Sequence, residues 1–256
     1  MRALLAAGLA LAAVTAVAAE ITHEARRSGY DFASPEIRAM QDDETANPGM
    51  LWVLQGEGLW ARKAGAAARS CQDCHGDAEA SMKGVAARYP AFDPGLGRPL
   101  DLEQRINRCR TEHQRAKPLA WESEDLLALT AFVARQSRGL PIAVATGAEM
   151  RPFLNLGKEV FRQREGQLNL SCSQCHDDNW GKRLAGSVIP QGHPTGYPIY
   201  RLEWQSLGSL QRRLRGCMTG VRAEPFGYGA PQAVALELYL MERARGMPMD
   251  APAVRP

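Results

Sequence analysis

The sequence predicts an all-α, loop-rich chain built from two tandem copies of one helical unit, with an extension ahead of the first copy. Three observations predict it. A five-residue run, Cys-x-x-Cys-His, occurs twice, at Cys71-Gln72-Asp73-Cys74-His75 and at Cys172-Ser173-Gln174-Cys175-His176. The residues around the two runs repeat at a fixed offset, the mark of an internal duplication. Each copy closes on an apolar stripe with helical spacing, followed by a Gly-x-Pro stop.

Taken in order, the chain opens on Met1-Arg2 and an Ala/Leu/Val run to Ala19, with small residues Val17-Ala18-Ala19 before Glu20. One positive charge, an apolar segment and a small-residue cleavage site read as a secretory signal over 1–19. The alternative is a retained anchor, since the run sits at the short end of a bilayer span. Nothing later could cross a membrane, so the mature chain is expected to have no membrane span. Residues 20–48 are polar with weak periodicity, Asp42-Asp43-Glu44 among them, and read as an N-terminal extension packed on a later domain. Its His23 reads as a surface histidine rather than a ligand.

The repeat begins next. Gln55-Gly56-Glu57-Gly58-Leu59-Trp60 leads into Ser70-Cys71, and 101 residues on Leu156-Gly157-Lys158-Glu159-Val160-Phe161 leads into Ser171-Cys172. The glycine and the aromatic stand four apart, on one helix face, and a glycine there lets another helix cross closely. A loop follows each run, Tyr89-Pro90 through Leu100 and Ile189-Pro190 through Pro198. Then Leu102-Glu103-Gln104-Arg105-Ile106-Asn107-Arg108-Cys109-Arg110-Thr111 is matched, 108 residues on, by Leu210-Gln211-Arg212-Arg213-Leu214-Arg215-Gly216-Cys217-Met218-Thr219. Arg-x-x-x-Cys-x-Thr is common to both. The closing stripes hold Leu126, Leu127, Leu129, Phe132 and Val133, then Val234, Leu236, Leu238, Tyr239 and Leu240. They end in Arg138-Gly139-Leu140-Pro141 and Arg245-Gly246-Met247-Pro248. The expected domains are 49–145 and 146–256.

Cys-x-x-Cys-His is the attachment signature of c-type haem. Two thiols form thioethers to the two vinyl groups of one porphyrin, and the histidine lies under the iron. A thioredoxin-like pair or half a zinc site would leave the repeated histidine unexplained. The expectation is therefore two covalently bound haem c groups. Cys71, Cys74, Cys172 and Cys175 make the attachments, and His75 and His176 are the iron ligands. Only 7% of residues are aromatic, against 24 Gly and 16 Pro, which suits small domains whose cores are partly cofactor. The order helix, haem motif, loop, helix with cysteine, helix resembles the class I cytochrome c fold. There the first helix crosses the last, which pairs Gly56 and Trp60 with Phe132, and Gly157 and Phe161 with Tyr239. An exported chain with covalent haem points to the bacterial periplasm. The net charge of +3, less Arg2 once the signal is removed, implies no nucleic-acid partner.

Cys109 and Cys217 remain once four cysteines hold haem. They occupy equivalent places, each near its own haem, so a disulfide would have to span about one domain, against a Cα separation limit of ~7 Å. Inert or free thiols are alternatives. The reading preferred here makes each the sixth ligand of its haem iron, because a cytochrome c loop supplies its distal ligand in this region. Met82, Met218, His113 and His193 compete for that role. Thiolate ligation would stabilise the ferric state and lower the potential, making two poor acceptors for mild reductants. Arg105, Arg108 and Arg110 flank Cys109; Arg212, Arg213, Arg215 and Arg222 flank Cys217. Such charge favours thiolate and can hold an anionic substrate. It can equally serve haem propionates or a solvated face. Gly216 and Gly220 bracket Cys217, and Pro225-Phe226-Gly227-Tyr228-Gly229-Ala230-Pro231 follows, so Cys217 is the cysteine a substrate would reach.

Three stretches carry a resemblance to a known family. They are Leu102 through Arg110, Gly192-His193-Pro194-Thr195-Gly196-Tyr197-Pro198-Ile199-Tyr200-Arg201-Leu202, and Arg213-x-x-x-Cys217-Met218-Thr219 with Glu224-Pro225-Phe226-Gly227-Tyr228-Gly229. They resemble the A subunits of the SoxAX cytochromes, L-cysteine S-thiosulfotransferases of bacterial sulfur oxidation. The resemblance implies that His75 and Cys109 ligate the first iron and that His176 and Cys217 ligate the second. It makes Cys217 the catalytic cysteine, carried as a persulfide in the family, and Arg213 the active-site arginine. It also implies a SoxX-like monohaem cytochrome c partner, a SoxYZ carrier whose cysteine receives thiosulfate, and a downstream cytochrome c acceptor. The alternatives are a dihaem electron-transfer protein without sulfur-transfer chemistry and a dihaem peroxidase. The peroxidase needs an open sixth site, which two cysteine ligands argue against.

Overall fold

Ser34 opens the first helix. Its hydroxyl accepts from Ile37 N, and Pro35 occupies the first turn, where its missing N–H would have had no partner anyway. This helix is α1, Pro35–Asp42. The computed structural model describes residues 21–184 and 186–256, so the secretory segment expected at 1–19 lies outside the described residues. The extension carries more order than its composition announced. Gln41 is 2% exposed and accepts from Val254 N at 3.1 Å. Asn47 Nδ2 donates to Pro252 O at 3.0 Å. The extension is thus tied to the C-terminal end of the chain.

The first unit runs α2 (Met50–Ala61), α3 (Cys71–His75), α4 (Ala78–Ser81), β1 (Ala91–Asp93), β2 (Arg98–Leu100), α5 (Leu102–Cys109) and α6 (Glu124–Arg135). A π-turn over Arg110–Gln114 continues α5. The second runs α7 (Arg151–Arg162), α8 (Cys172–His176), β3 (Arg183–Leu184), β4 (Ser187–Val188), β5 (Ile199–Arg201), β6 (Ser206–Gly208), α9 (Leu210–Gly220) and α10 (Pro231–Arg243), with β7 (Ala253–Arg255) last.

The chain is mainly helical but not all-α. The segments expected to be loops hold three small sheets among the described residues. Strands of two or three residues are too short to print a period of two on the sequence, and Pro99 stands inside β2. β1 and β2 are antiparallel, with Ala91 opposite Leu100 and Asp93 opposite Arg98. β5 and β6 repeat that register 108 residues on, with Ile199 opposite Gly208 and Arg201 opposite Ser206. β7 lies parallel to β5 on its other side. The offset grows from 101 to 108 across the second loop, and the β3–β4 hairpin fills that insertion.

Helix crossing is closest at the two glycines. A Cβ on Gly56 would lie 2.2 Å from Ala128 O of α6, and one on Gly157 would lie 2.0 Å from Ala235 O of α10. Backbone therefore rests on backbone. Beside each crossing sits the expected aromatic pair, Trp60 on Phe132 at 5.8 Å between centroids and Phe161 on Tyr239 at 5.4 Å. The two helix stops then pair with each other. Gly139 N donates to Met249 O at 2.8 Å, Met249 N to Leu140 O at 2.9 Å, and Ile142 N to Met247 O at 2.9 Å. Trp60 and Phe132 share one apolar cluster with Leu207, Leu238 and Met241. The join near Ile142 and Met150 is buried, at 1% and 0% exposure, rather than a free linker.

Candidate functional site

In the second unit, Ser171 and Gln174 cap α8 reciprocally. Ser171 N donates to Gln174 Oε1 at 2.9 Å and Gln174 N to Ser171 Oγ at 3.3 Å. This short helix fixes Cys172, Cys175 and His176 on little more than one turn. His176 Nδ1 lies 2.7 Å from Pro190 O. A carbonyl can only accept, so Nδ1 carries the proton and Nε2 keeps its lone pair. Gly192 has φ +75, and a Cβ there would stand 3.1 Å from His176 Cγ, so the backbone packs directly on the ring. Burial pulls His176 below the usual histidine range. The hydrogen bond to Pro190 opposes this, and the charges of Arg243 and Arg213 add to it. The imidazole is held neutral, the form that binds iron. Arg243 is itself paired with Asp177 at 2.6 Å.

α9, capped by Ser209, brings Cys217 close enough to act electrostatically on both Cys172 and Cys175. Burial pushes Cys172 up to about 12. The arginines around Cys217 divide. Arg212 lies 4.2 Å over Trp204 and donates to Ser206 Oγ at 3.3 Å. Arg215 donates to Phe226 O and lies 4.7 Å over Tyr228, which stacks on Trp121. Both serve the scaffold. Arg213 has no carboxylate at ion-pair distance among the described residues; its charge acts on Tyr197, Arg201 and His176. Burial pushes Tyr197 up to about 12. Cβ atoms added at Gly216, Gly220 or Gly227 would meet nothing within 4 Å, so the chain around half-buried Cys217 is open on that side.

The first unit repeats the plan with differences. Ser70 and Asp73 cap α3 reciprocally. Trp60 Nε1 donates to Gly76 O at 3.1 Å, and its ring lies 5.7 Å from that of His75. Cys74 and His75 are exposed. Cys109 sits among Cys71, Cys74 and Arg105, and Gln114 Nε2 reaches Cys71 Sγ at 3.9 Å. Arginines were expected to favour a thiolate here. At Cys109 burial wins and pushes the thiol up, with Arg105 and Arg108 opposing. Both arginines are occupied by Asp93, at 2.8 and 2.5 Å.

None of the six cysteines forms a disulfide, and each of Cys109 and Cys217 lies beside its own pair. Among the competing donors, His113 and His23 are exposed. His193 is 8% exposed, its Nδ1 2.9 Å from Arg27 O, and burial pulls it to about 4. Met82 packs on the apolar core, and Met218 lines a small cleft with Leu214 and Phe226. No group of three or more His, Cys, Asp or Glu able to hold a bare ion exists among the described residues. A porphyrin brings four nitrogens of its own and asks the chain only for axial donors and two thiols. The donor set of paired thiols, a neutral imidazole with a fixed tautomer and a facing cysteine fits haem c.

Sequence reasoning gave no role to Tyr197, Arg201 or Arg243, which surround Arg213 and His176. A signal for Arg201 was present. The offset of 108, carried back from Cys217 to the hairpin, sets Arg201 against Asp93.

The family model for the SoxA/TsdA cytochrome c domain matches residues 55–142 and again 156–249. The chain is 38% identical over 229 residues to the L-cysteine S-thiosulfotransferase subunit SoxA of Pseudaminobacter salicylatoxidans, covering 89% of this chain and 80% of that one. It is 35% identical to the SoxA subunit of Rhodovulum sulfidophilum, over 90% and 80% of the two chains. Among solved structures, it superposes on a chain of SoxXA from P. pantotrophus with a TM-score of 0.87 and 32% identity, covering 90% of this chain and 87% of that chain. The two family matches fall on the two helix-crossing units, and the likeness runs through the extension as well: this chain belongs to the SoxA/TsdA cytochrome c domain family.

Proposed function

We propose that the chain is a haem-thiolate subunit that couples thiosulfate oxidatively to a carrier cysteine, with the chemistry at Cys217. The observation that carries this is local. Beside a half-buried cysteine in an open glycine setting stands Arg213, a cation with no carboxylate at ion-pair distance among the described residues. The SoxA subunits it resembles bear the name L-cysteine S-thiosulfotransferase.

Thiosulfate is a dianion, and Arg213 supplies charge-assisted donors for its sulfonate oxygens. The Cys217 thiolate bonds to the outer sulfur, giving Cys217–S–S–SO3⁻ and releasing two electrons. A carrier thiolate, from a SoxYZ-like protein, then attacks the sulfur next to the sulfonate. It leaves with –S–SO3⁻, and Cys217 returns as thiolate by thiol–disulfide exchange. A persulfide at Cys217 would run the same sequence with one sulfur more. Haem c, when bound, would supply a one-electron couple that takes these two electrons one at a time and passes them to a cytochrome c acceptor.

The same reading assigns two haem c groups, on Cys71, Cys74, His75 and Cys109 and on Cys172, Cys175, His176 and Cys217. The domains are an extension over 20–48 and two cytochrome c-like units over 49–145 and 146–256, from an internal duplication. A SoxX-like monohaem cytochrome c is the partner and a further cytochrome c the acceptor. Residues 1–19 direct the chain to the periplasm, and no helix among the described residues is long and apolar enough to cross a membrane. Two thiolate-ligated haems are awkward for an oxidation, and a structural first haem, left from the duplication, is one way to reconcile them.

Replacing Cys217 by Ala abolishes carrier-dependent thiosulfate oxidation, and replacing Cys109 by Ala does much less. Equal loss from both would remove the special role of Cys217. Mass spectrometry of protein purified without reductant then reads an added sulfur on the Cys217 peptide but not on that of Cys109.

A further inference from the structure

The two hairpins place Asp93 and Arg201 at one structural position. Asp93 pairs with Arg98 across β1–β2, and Arg201 pairs with Ser206 across β5–β6 in the same register. In the first unit this position neutralises the arginines of the following helix. Asp93 Oδ2 stands 2.8 Å from Arg105 and 2.5 Å from Arg108. In the second unit the residue facing Arg213, the counterpart of Arg105, is a second cation. The reversal adds two positive charges to the wall beside Cys217. Arg201 is not a free surface arginine, since its side chain is 10% exposed. Its Nε donates to Pro256 O at 2.8 Å, its Nη2 lies 3.1 Å from Glu203 Oε1, and its plane lies over Trp204 at 5.1 Å. These contacts fix one edge of the guanidinium and leave Nη1 without a partner among the described residues. Glu203 is 53% exposed, and a solvated carboxylate compensates a buried cation weakly. Burial, and then the charge of Arg213, pull Arg201 below its usual range. Two cations held together at low exposure make a place for an oxyanion.

We propose that Arg201 is a second oxyanion-holding residue of the Cys217 site, clamping the sulfonate of thiosulfate together with Arg213. This rests on the reading of Cys217 as the thiosulfate-coupling cysteine. The same two donors could hold haem propionates, and the experiment separates the two sources of oxygen anion.

The test uses the haem-loaded complex with its partner cytochrome and measures KM and kcat for thiosulfate, the reduction potentials of the haems, and calorimetric binding of thiosulfate without carrier. Losing one charge-assisted donor pair predicts that Arg201→Gln raises KM about tenfold with kcat within about twofold. Arg201→Asp, which restores the pairing of the first unit, raises it more by occupying Arg213. Arg201→Lys retains most of the affinity, which a variant with a damaged fold could not do. Unchanged KM and unchanged binding in Arg201→Gln would overturn the proposal. So would a shifted haem potential with KM unchanged, which assigns Arg201 to a propionate. Should the wild-type complex transfer no thiosulfate, the reading of Cys217 fails. The calorimetry still decides Arg201, since equal binding by Arg201→Gln and wild type sinks the clamp.

Discussion

Two glycines in one helix should respond in opposite ways to the same substitution. In α2, a Cβ on Gly56 would lie 2.2 Å from Ala128 O, 2.7 Å from Ala128 C and 2.7 Å from Phe132 Cβ, whereas one on Gly58 would meet nothing within 4 Å. Relieving the first clash means moving α2 and α6 apart by roughly 1 Å, because the obstacle is backbone and no rotamer change removes it. Overpacking of this kind costs about 1–3 kcal/mol. Separating Trp60 from Phe132 adds about 0.5–1.5 kcal/mol. Replacing glycine in a helix returns about 0.5–1 kcal/mol. Gly56→Ala is therefore expected to destabilise by about 2 kcal/mol, within a range of about 0.5–4, and Gly58→Ala to stabilise by about 0.5–1 kcal/mol. Denaturant unfolding of the haem-loaded protein, followed by circular dichroism, gives both values from one wild-type reference. A Gly56→Ala protein within about 0.5 kcal/mol of wild type would refute the backbone-contact reading of the crossing.

The remaining predictions concern protonation and the histidine support. Asp101, Glu103 and Glu237 meet where the two units touch, with Gln211 Nε2 donating to Asp101 at 2.8 Å and to Glu237 at 3.3 Å. Burial pushes Asp101 up to about 7 and Glu103 up to about 8, and raises Glu237. The folded state then holds more protons than the unfolded one. The cluster's contribution therefore falls as pH rises from about 4.5 through 8. Glu237→Gln should flatten that slope in denaturation measured from pH 5 to 8.5, and an unchanged slope would place the protons elsewhere. Gly192→Ala puts a side chain at φ +75, 3.1 Å from the His176 ring. It should lower stability by about 1–2 kcal/mol and, on the proposed two-haem reading, change the absorption of the haem at His176 while that at His75 stays as it is.

The features that repeat were the legible ones. Covalent haem attachment shows in five residues, and the crossing glycines and aromatics stand out because each occurs twice at one offset. The β1–β2 and β5–β6 hairpins left no period in strands of three residues, so the fold read as all-α. The burial of the join could not be seen either, because Gly139 and Met249 bond across 110 positions of sequence. The arginine count around Cys217 was legible, but the occupation of each arginine was not. Arg212 and Arg215 are held by Trp204 and Tyr228, partners set by tertiary packing. Arg213 differs from them in having no carboxylate at ion-pair distance among the described residues, and such an absence leaves no trace in a string of letters.

The two units share one plan, so their differences carry the functional weight. Three of them lie near Arg213 and Cys217. Asp93 gives way to Arg201, which turns a neutralised wall into a cationic one. Arg108, half-buried and paired to Asp93 beside Cys109, gives way to Gly216, where an added Cβ would meet nothing within 4 Å; this opens the helix next to Cys217. The longer second loop carries Pro190 to His176 at 2.7 Å, whereas His75 stays exposed with Trp60 as its ring neighbour. Each change alone is an ordinary difference between two units of one plan. Together they suit the proposed chemistry at Cys217: charge for an anion, access for it, and a fixed tautomer for the neighbouring imidazole. A chain that needed two equivalent electron carriers would have no reason to collect all three in one copy.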